Sequence, residues 1–272
     1  MDKYLKYKII NILLNEIKSK EKNKTEKRGC KKKHTDKKIL NIIVERLITG
    51  LAWGQIEKLK ICKKIGKSTV YDRFIKYVEM DIFKICHSKI LDTLGIVVDN
   101  NSIAYIDTTS IINKGGCCNN VGFSPGIPKH KSCKLSIIST QNCIPLGITL
   151  SSGNIHDINL IFETLPKKRF FKLLYGDKAY ISEPIKKKLK QEYNIDLITE
   201  SRSNQINQIK LLKKDKINMK NRCRIEHLNS SIKQYKLINT RYDKKNSSFL
   251  SNVYIILMKI TLSRSEFNQT IV

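Results

Sequence analysis

Apolar side chains recur at helical spacing over the first third of the chain and at strand spacing over the middle. Near the start, YLKYKIINILLNEI predicts a short amphipathic helix. From 38 to 94 the pattern stays helical. KKILNIIVERLITG lines up Ile39, Ile42, Ile43, Leu47 and Ile48 and stops at Gly50. A loop with Trp53 follows, then EKLKICKKIG. STVYDRFIKYVEMDIFKICHSKIL predicts a further helix, with Ser68 as its N-cap and Tyr71, Phe74, Ile75, Val78 and Ile82 as its buried stripe. Helix, Gly-containing break and Ser/Thr-led helix is the pattern of a helix-turn-helix, which would turn Arg73 and Lys76 toward DNA. Plain packing of the same helices is an equally weighted alternative.

After Asn101 the period shortens. SIAYIDTTSI reads as a strand ending in a carboxylate, and KLSIIST and IPLGITLS as a hairpin about the turn-like QNC. HDINLIFETLP predicts a helix stopped before Pro166, and FFKLLYGDKAY a second strand ending in a carboxylate. SEPIKKKLKQEY starts a helix, with Ser182 as N-cap and Pro184 in its first turn. IDLITES is a fifth strand, and residues 215–238 form a polar, basic helix. The expected fold class is α/β, a mixed five-stranded sheet with flanking helices behind a small helical N-terminal domain. The expected domains are 1–37 (helix and basic linker), 38–98 (helical), 99–262 (the sheet domain) and 263–272 (tail).

Charge narrows the partners. Lys and Arg number 52 against 24 Asp and Glu, a net charge of +28 over 272 residues. A field of that sign captures polyanions, and nucleic acid binds such a surface through counterion release. A lysine-, asparagine- and isoleucine-rich codon usage accounts for part of the excess, but not for the shortage of acids. Residues 18–38 are almost all polar or charged and read either as a solvated connector or as an arm on DNA phosphates. The opening MDKYLKYKII has charges where a signal peptide has an apolar run, and the longest apolar run, near 253–258, is too short to span a bilayer. An intracellular, DNA-associated chain with reduced thiols is expected. Cys117, Cys118, His130 and Cys133 have poor zinc-ligand spacing, so loop thiols are expected there.

Asp107 and Asp177 each close an apolar strand, at the end of a sheet where α/β proteins build their sites. A third acid lies on the helix KNRCRIEHLNSSIKQYKLI. There Arg222, Glu226 and Lys233, at about 100° per residue, fall within roughly 60° of arc. By spacing alone Glu226 reads as an ordinary i,i+4 ion-pair residue. Read functionally, the face offers a carboxylate for a hard cation between two cations for phosphate. His156–Asp157 reads as a helix cap, or as a DNA contact near the site. Lys178, Lys129, His130 and Lys131 are weaker candidates for backbone contacts, the last three in the loop after the first strand.

These segments together resemble the insertion-sequence DDE transposases of the insertion sequence 5 and insertion sequence 4 superfamily. IDTTSI carries Asp107, SSGNIHD follows the hairpin, GDKAY carries Asp177, and Arg222, Glu226 and Lys233 keep the family's spacing. TGLAWGQI and TRYDKKNSSFLSNVYIILMK resemble its N- and C-terminal segments, so the likeness spans roughly residues 38–262. Met219 stands where the family has a Tyr thought to position DNA.

The resemblance implies a ribonuclease H-like fold and Asp107, Asp177 and Glu226 as ligands of two Mg²⁺ (or Mn²⁺). It also implies Arg222 and Lys233 on DNA phosphates, cleavage at transposon terminal inverted repeats, and strand transfer into target DNA. A homodimer is expected where two ends are synapsed. Two other readings stay open: a catalytically silent, transposase-derived DNA-binding protein, and a ribonuclease H-like nuclease that cuts without joining.

Overall fold

The protein is described from a computed structural model covering residues 2–22, 32–62, 64–94, 102–116, 118–124, 126–168, 171–201 and 211–269. Residues 23–31 of the expected basic connector, and Cys30 and Cys117, lie outside these. The helices are α1 (Lys3–Lys22), α2 (Asp36–Thr49), α3 (Lys67–Glu79), α4 (Ile82–Thr93), α5 (Ile161–Thr164), α6 (Glu183–Tyr193), α7 (Lys213–Asn221), α8 (Cys223–Lys233), α9 (Lys236–Asn239) and α10 (Asn246–Gln269). The strands used below are β1 (Ile103–Asn113), β2 (Gly122–Ser124), β3 (Ile127–Thr140), β4 (Pro145–Ser152), β5 (Leu173–Tyr175) and β6 (Asp196–Ile198). The chain divides into two compact units, Met1–Leu94 with Ile232–Val272, and Gly95–Ser231.

The first unit is helical. Its core joins Ile9, Leu13 and Ile17 of α1 and Ile39, Ile43 and Leu47 of α2 to Phe74 of α3, Phe83 of α4, and Phe249, Val253 and Leu257 of α10. Helix α2 begins behind Thr35, which accepts the Lys38 N–H, and ends where expected, at Gly50, in the left-handed region at φ 71°. Helix α10 packs against α1, α3 and α4, which suits a segment apolar on nearly every face. It therefore groups with the N-terminal helices and not with the continuous segment 99–262 expected from sequence.

Three local expectations change. The run 68–91 is two helices, because Asp81 takes φ 55° and breaks the chain's path between α3 and α4. Helix α3 starts two residues early, at Lys67, with Gly66 and not Ser68 as its N-cap and no side-chain cap bond. Its buried stripe is Val70, Phe74, Tyr77 and Val78, while Tyr71 is exposed and lies edge-on to Trp53. The Trp53 loop and the residues after it form two short 3₁₀ turns, Trp53–Lys58 and Lys60–Cys62.

Arg73 pairs with Asp36, which also accepts from Tyr77 Oη, and Lys76 Nζ lies 2.8 Å from Glu21. Both expected DNA-contacting cations thus join α3 to α1 and α2.

The second unit is built on a mixed sheet. On one edge of β3 lie β4 and β2, and on the other lies β1, all antiparallel to it. β1 continues in parallel register to β5, and β5 to β6. The five expected strands are all present, and short β2 is an addition to them. Lys129, His130 and Lys131 lie on β3 and not in a loop, since β3 already starts at Ile127. The helical stretch 215–238 is divided into α7, α8 and α9. No described helix is long and apolar enough to cross a membrane.

Candidate functional site

Strand β1 does two jobs along its length. Ile103, Ala104 and Tyr105 pair in parallel with Leu173, Leu174 and Tyr175, while β3 pairs along β1 from Ala104 to Ile112. Asp107 and Asp177 thus each stand two residues past the last parallel pair, Tyr105 with Tyr175. The expectation that Asp107 ends its strand is corrected here. The hairpin partner β3 carries β1 on to Asn113, and Asp107 sits opposite Ile137. What ends near Asp107 is the parallel half of the sheet.

Beyond β5 the chain turns at once. Gly176 donates its N–H to Ile198 O at 3.1 Å, and Asp177 accepts the Ala179 N–H at 2.9 Å, starting a 3₁₀ turn over Lys178–Tyr180. Tyr180 folds back so closely that a Cβ on Gly176 would stand 2.9 Å from its ring. Its hydroxyl lies 2.8 Å from Thr108 Oγ1, which ties the residue after Asp107 to the turn after Asp177. Lys178 Nζ approaches Glu200 at 3.9 Å.

The third acid comes from α8, which is anchored beneath by packing. Met219 and Ile225 are buried with Tyr105 and Tyr175. Tyr175 Oη donates to Asp215 at 2.7 Å and accepts from Asn218 at 3.0 Å. Position 219, where the resembled family has a Tyr, is thus directed into this core. At the start of α8 the β3–β4 turn is bonded on, with Arg224 Nη1 donating to Gln141 O and Cys143 Sγ to Arg224 O. Glu226 is exposed one turn along, and Lys233 is the last residue of α8.

Arg222 bridges the acids. Its Nη2 lies 2.7 Å from Glu226 Oε1, and its Nη1 lies 3.7 Å from Asp107 Oδ1. On the other oxygen, Asn229 Nδ2 donates to Asp107 Oδ2 at 2.9 Å. Burial raises the Asp107 carboxyl to about 6. Arg222 and the Thr108 N–H pull it down, and the charges of Asp177 and Glu226 push it up.

Three carboxylates that feel one another in a partly desolvated place are a donor set whose chemistry suits a hard divalent cation. They do not enclose one. Among the described residues no three His, Cys, Asp or Glu side chains converge as an ion-binding group. A neighbouring cleft of about 290 Å³, lined by Tyr180, Ser182, Glu200, Leu211 and Asp215 among others, includes none of the three acids.

His156 precedes the 3₁₀ turn Asp157–Leu160 and makes no side-chain cap. The Asp157 carboxylate instead pairs with Lys134 Nζ at 2.7 Å, which corrects the helix-cap reading. Sequence reasoning passed over Asn229. The signal for Asn229 was present: it is a polar residue within the apolar stripe Ile225, Leu228 and Ile232.

Among proteins of curated function, none matches the chain. A solved structure described as a pre-cleavage Mos1 transpososome aligns at 9% identity over 89% of this chain and 82% of that one. Its TM-score is 0.24, a superposition too loose to bear on the fold. Residues 130–245, a stretch that includes Asp177, Arg222, Glu226 and Lys233 and begins after Asp107, match the family model described as a transposase DDE domain, and over that stretch the chain is similar to DDE transposases.

Proposed function

We propose that this protein is a DDE transposase, which hydrolyses phosphodiester bonds at transposon ends and transfers the freed 3′-hydroxyl into target DNA. The observation that carries the reading is the parallel register of Tyr105 with Tyr175, which sets Asp107 and Asp177 at matching positions beside the helix of Glu226. An antiparallel β4–β3–β1 set continuing into a parallel β1–β5–β6 set, with acids at this point, supports a ribonuclease H-like fold.

Asp107, Asp177 and Glu226 would hold two Mg²⁺ or Mn²⁺. When bound, such ions supply charge that activates a hydroxyl nucleophile and stabilises a leaving oxygen. Arg222, which neutralises Asp107 and Glu226 here, would be released to the DNA phosphate together with Lys233. Arg73 and Lys76, with the helices that carry them, would add contacts to the duplex in a helix-turn-helix-like manner. The partner is double-stranded DNA, and synapsis of two ends would bring two copies of the chain together.

The pairing of Arg222 with both Asp107 and Glu226 also favours a second reading, a DNA-binding protein without catalysis. Mg²⁺-dependent nicking of a duplex bearing the element's terminal repeat separates them, compared with Asp107→Ala, Asp177→Ala and Glu226→Ala. The transposase reading expects nicking only in the unmutated chain, followed by joining to a target plasmid. Nicking without joining points to a nuclease. Equal activity in all four proteins sinks the assignment of the acids.

A further inference from the structure

Asn229 is 6% exposed, lies three residues after Glu226 on α8, and reaches across 122 residues of sequence to Asp107. Its neighbours Ile225, Leu228 and Ile232 are almost fully buried, so an aliphatic residue is what the helix pattern calls for at 229. A buried amide in that stripe costs stability unless both its ends are bonded. Here one end is. Nδ2 donates to Asp107 Oδ2 at 2.9 Å, whereas Oδ1 is buried without a hydrogen-bond partner. Packing alone does not account for such a residue, and its bonded atom points to one of the three acids.

From this we propose that Asn229 is a positioning residue, which orients the Asp107 carboxylate for cation binding and sets the helix of Glu226 against β1. The inference rests on the reading of Asp107, Asp177 and Glu226 as ligands. Besides the Thr108 backbone N–H, two side chains act on the Asp107 carboxylate. Arg222 reaches Oδ1 at 3.7 Å, longer than a hydrogen bond, and is needed by Glu226 as well. Asn229 is neutral, so it fixes Oδ2 without adding a cation that would repel an incoming one. The Asn229 N–H takes one lone pair of a carboxylate that has about four.

Because Asn229 and Glu226 lie on adjacent turns of one rigid helix, the same bond fixes where Glu226 stands relative to Asp107. Partners of this kind, which hold a ligand without touching the ion, set metal affinity as strongly as the ligands' own geometry does. The charged alternative at this position would act differently. Asn229→Asp would place a second carboxylate against Asp107, repelling it in the free protein and drawing in a cation when one is present.

The test measures Mn²⁺ binding to the full-length chain by electron paramagnetic resonance, without DNA, and the urea midpoint of each variant. Asn229→Leu removes the amide and fills the stripe, and Asn229→Ala removes it and leaves space. Asp107→Ala is the reference. The expected result is Mn²⁺ affinity lowered about 10- to 100-fold in both Asn229 variants, with Asn229→Leu as resistant to urea as the unmutated chain or more so. A merely structural role predicts the opposite for Asn229→Leu, with lost stability and retained affinity.

Should Asp107→Ala abolish Mn²⁺ binding while Asn229→Leu binds within twofold of the unmutated chain, the positioning role is overturned and the acids stand. Should Asp107→Ala leave binding unchanged, the reading of the acids fails and this inference with it. If Asn229→Ala does not fold, Asn229→Leu alone decides.

Discussion

The hydroxyl of Tyr180 and Oγ1 of Thr108 lie 2.8 Å apart, so the residue after Asp107 is bonded to the turn that begins at Asp177. Tyr180 is 1% exposed, and burial with the negative charge of Asp157, Asp107 and Asp177 nearby keeps its phenol protonated well above the ordinary range. Replacing it by Phe leaves the ring in place and orphans the Thr108 hydroxyl. A loss of about 1 kcal/mol is expected from equilibrium urea unfolding. Cleavage should fall by more than that small change in the folded fraction explains, because the two acid-bearing segments come untied. Unchanged cleavage would mean that the bond serves stability alone.

A second prediction concerns Arg222. It is the only cation among the causes that act on Asp107, and it lowers that carboxyl, which burial holds at about 6. Arg222→Ala should move the Asp107 titration midpoint upward, read as a carboxyl ¹³C shift against pH in metal-free protein. The same variant should cut strand cleavage about tenfold or more, and Arg222→Lys should restore it only in part, since a point charge cannot fork between Asp107 and Glu226. A midpoint that stays in place would show that the guanidinium lies elsewhere in solution.

Gly147 of β4 faces α5 with no room for a methyl group. A Cβ there would stand 2.0 Å from the Thr164 carbonyl oxygen, an atom of the backbone that cannot swing aside. Gly147→Ala should therefore lower stability by about 1–3 kcal/mol or more through overpacking. A thermal melt within experimental error of the unmutated chain would be incompatible with this packing.

His87 of α4 contributes to the pH dependence of the helical unit. It is 4% exposed, its Nε2 has no partner, and burial lowers its pKa from 6.5 to about 4. The unfolded chain therefore takes up the proton first as pH falls. Stability is at its full value above about 6.5 and drains away through the window down to 4. The loss is on the order of 3 kcal/mol, from a shift of that size at 1.36 kcal/mol per unit. In urea titrations at pH 7 and pH 4.5, His87→Leu should lose correspondingly less than the unmutated chain. Parallel acid sensitivity in the two would remove His87 from the account.

Much of the candidate site's layout was legible from residue order. The period change after Asn101, the apolar strands before Asp107 and Asp177, and the i,i+4 spacing of Arg222 and Glu226 all have direct counterparts in the structure. Local chemistry misled where a long-range partner competed. Asp157 reads as a helix cap, yet its carboxylate goes to Lys134, from a strand 23 residues earlier, because a charged ammonium offers a stronger bond than a backbone N–H. Tyr71 reads as core on helical spacing, yet the Trp53 turn takes its ring and leaves it 40% exposed.

The sequence by itself determined most of the segments that become strand or helix, and the order in which Asp107, Asp177, Arg222 and Glu226 appear. Periodicity and residue type act over a few residues and survive without knowledge of the rest. Only the tertiary structure decided that Asn229 holds Asp107, that Met219 turns into the core between two tyrosines, and that α10 packs with the N-terminal helices. Each depends on which faces meet across a hundred or more residues. A helical stripe states that a face will be buried, and shape and hydrogen-bond complementarity choose what buries it.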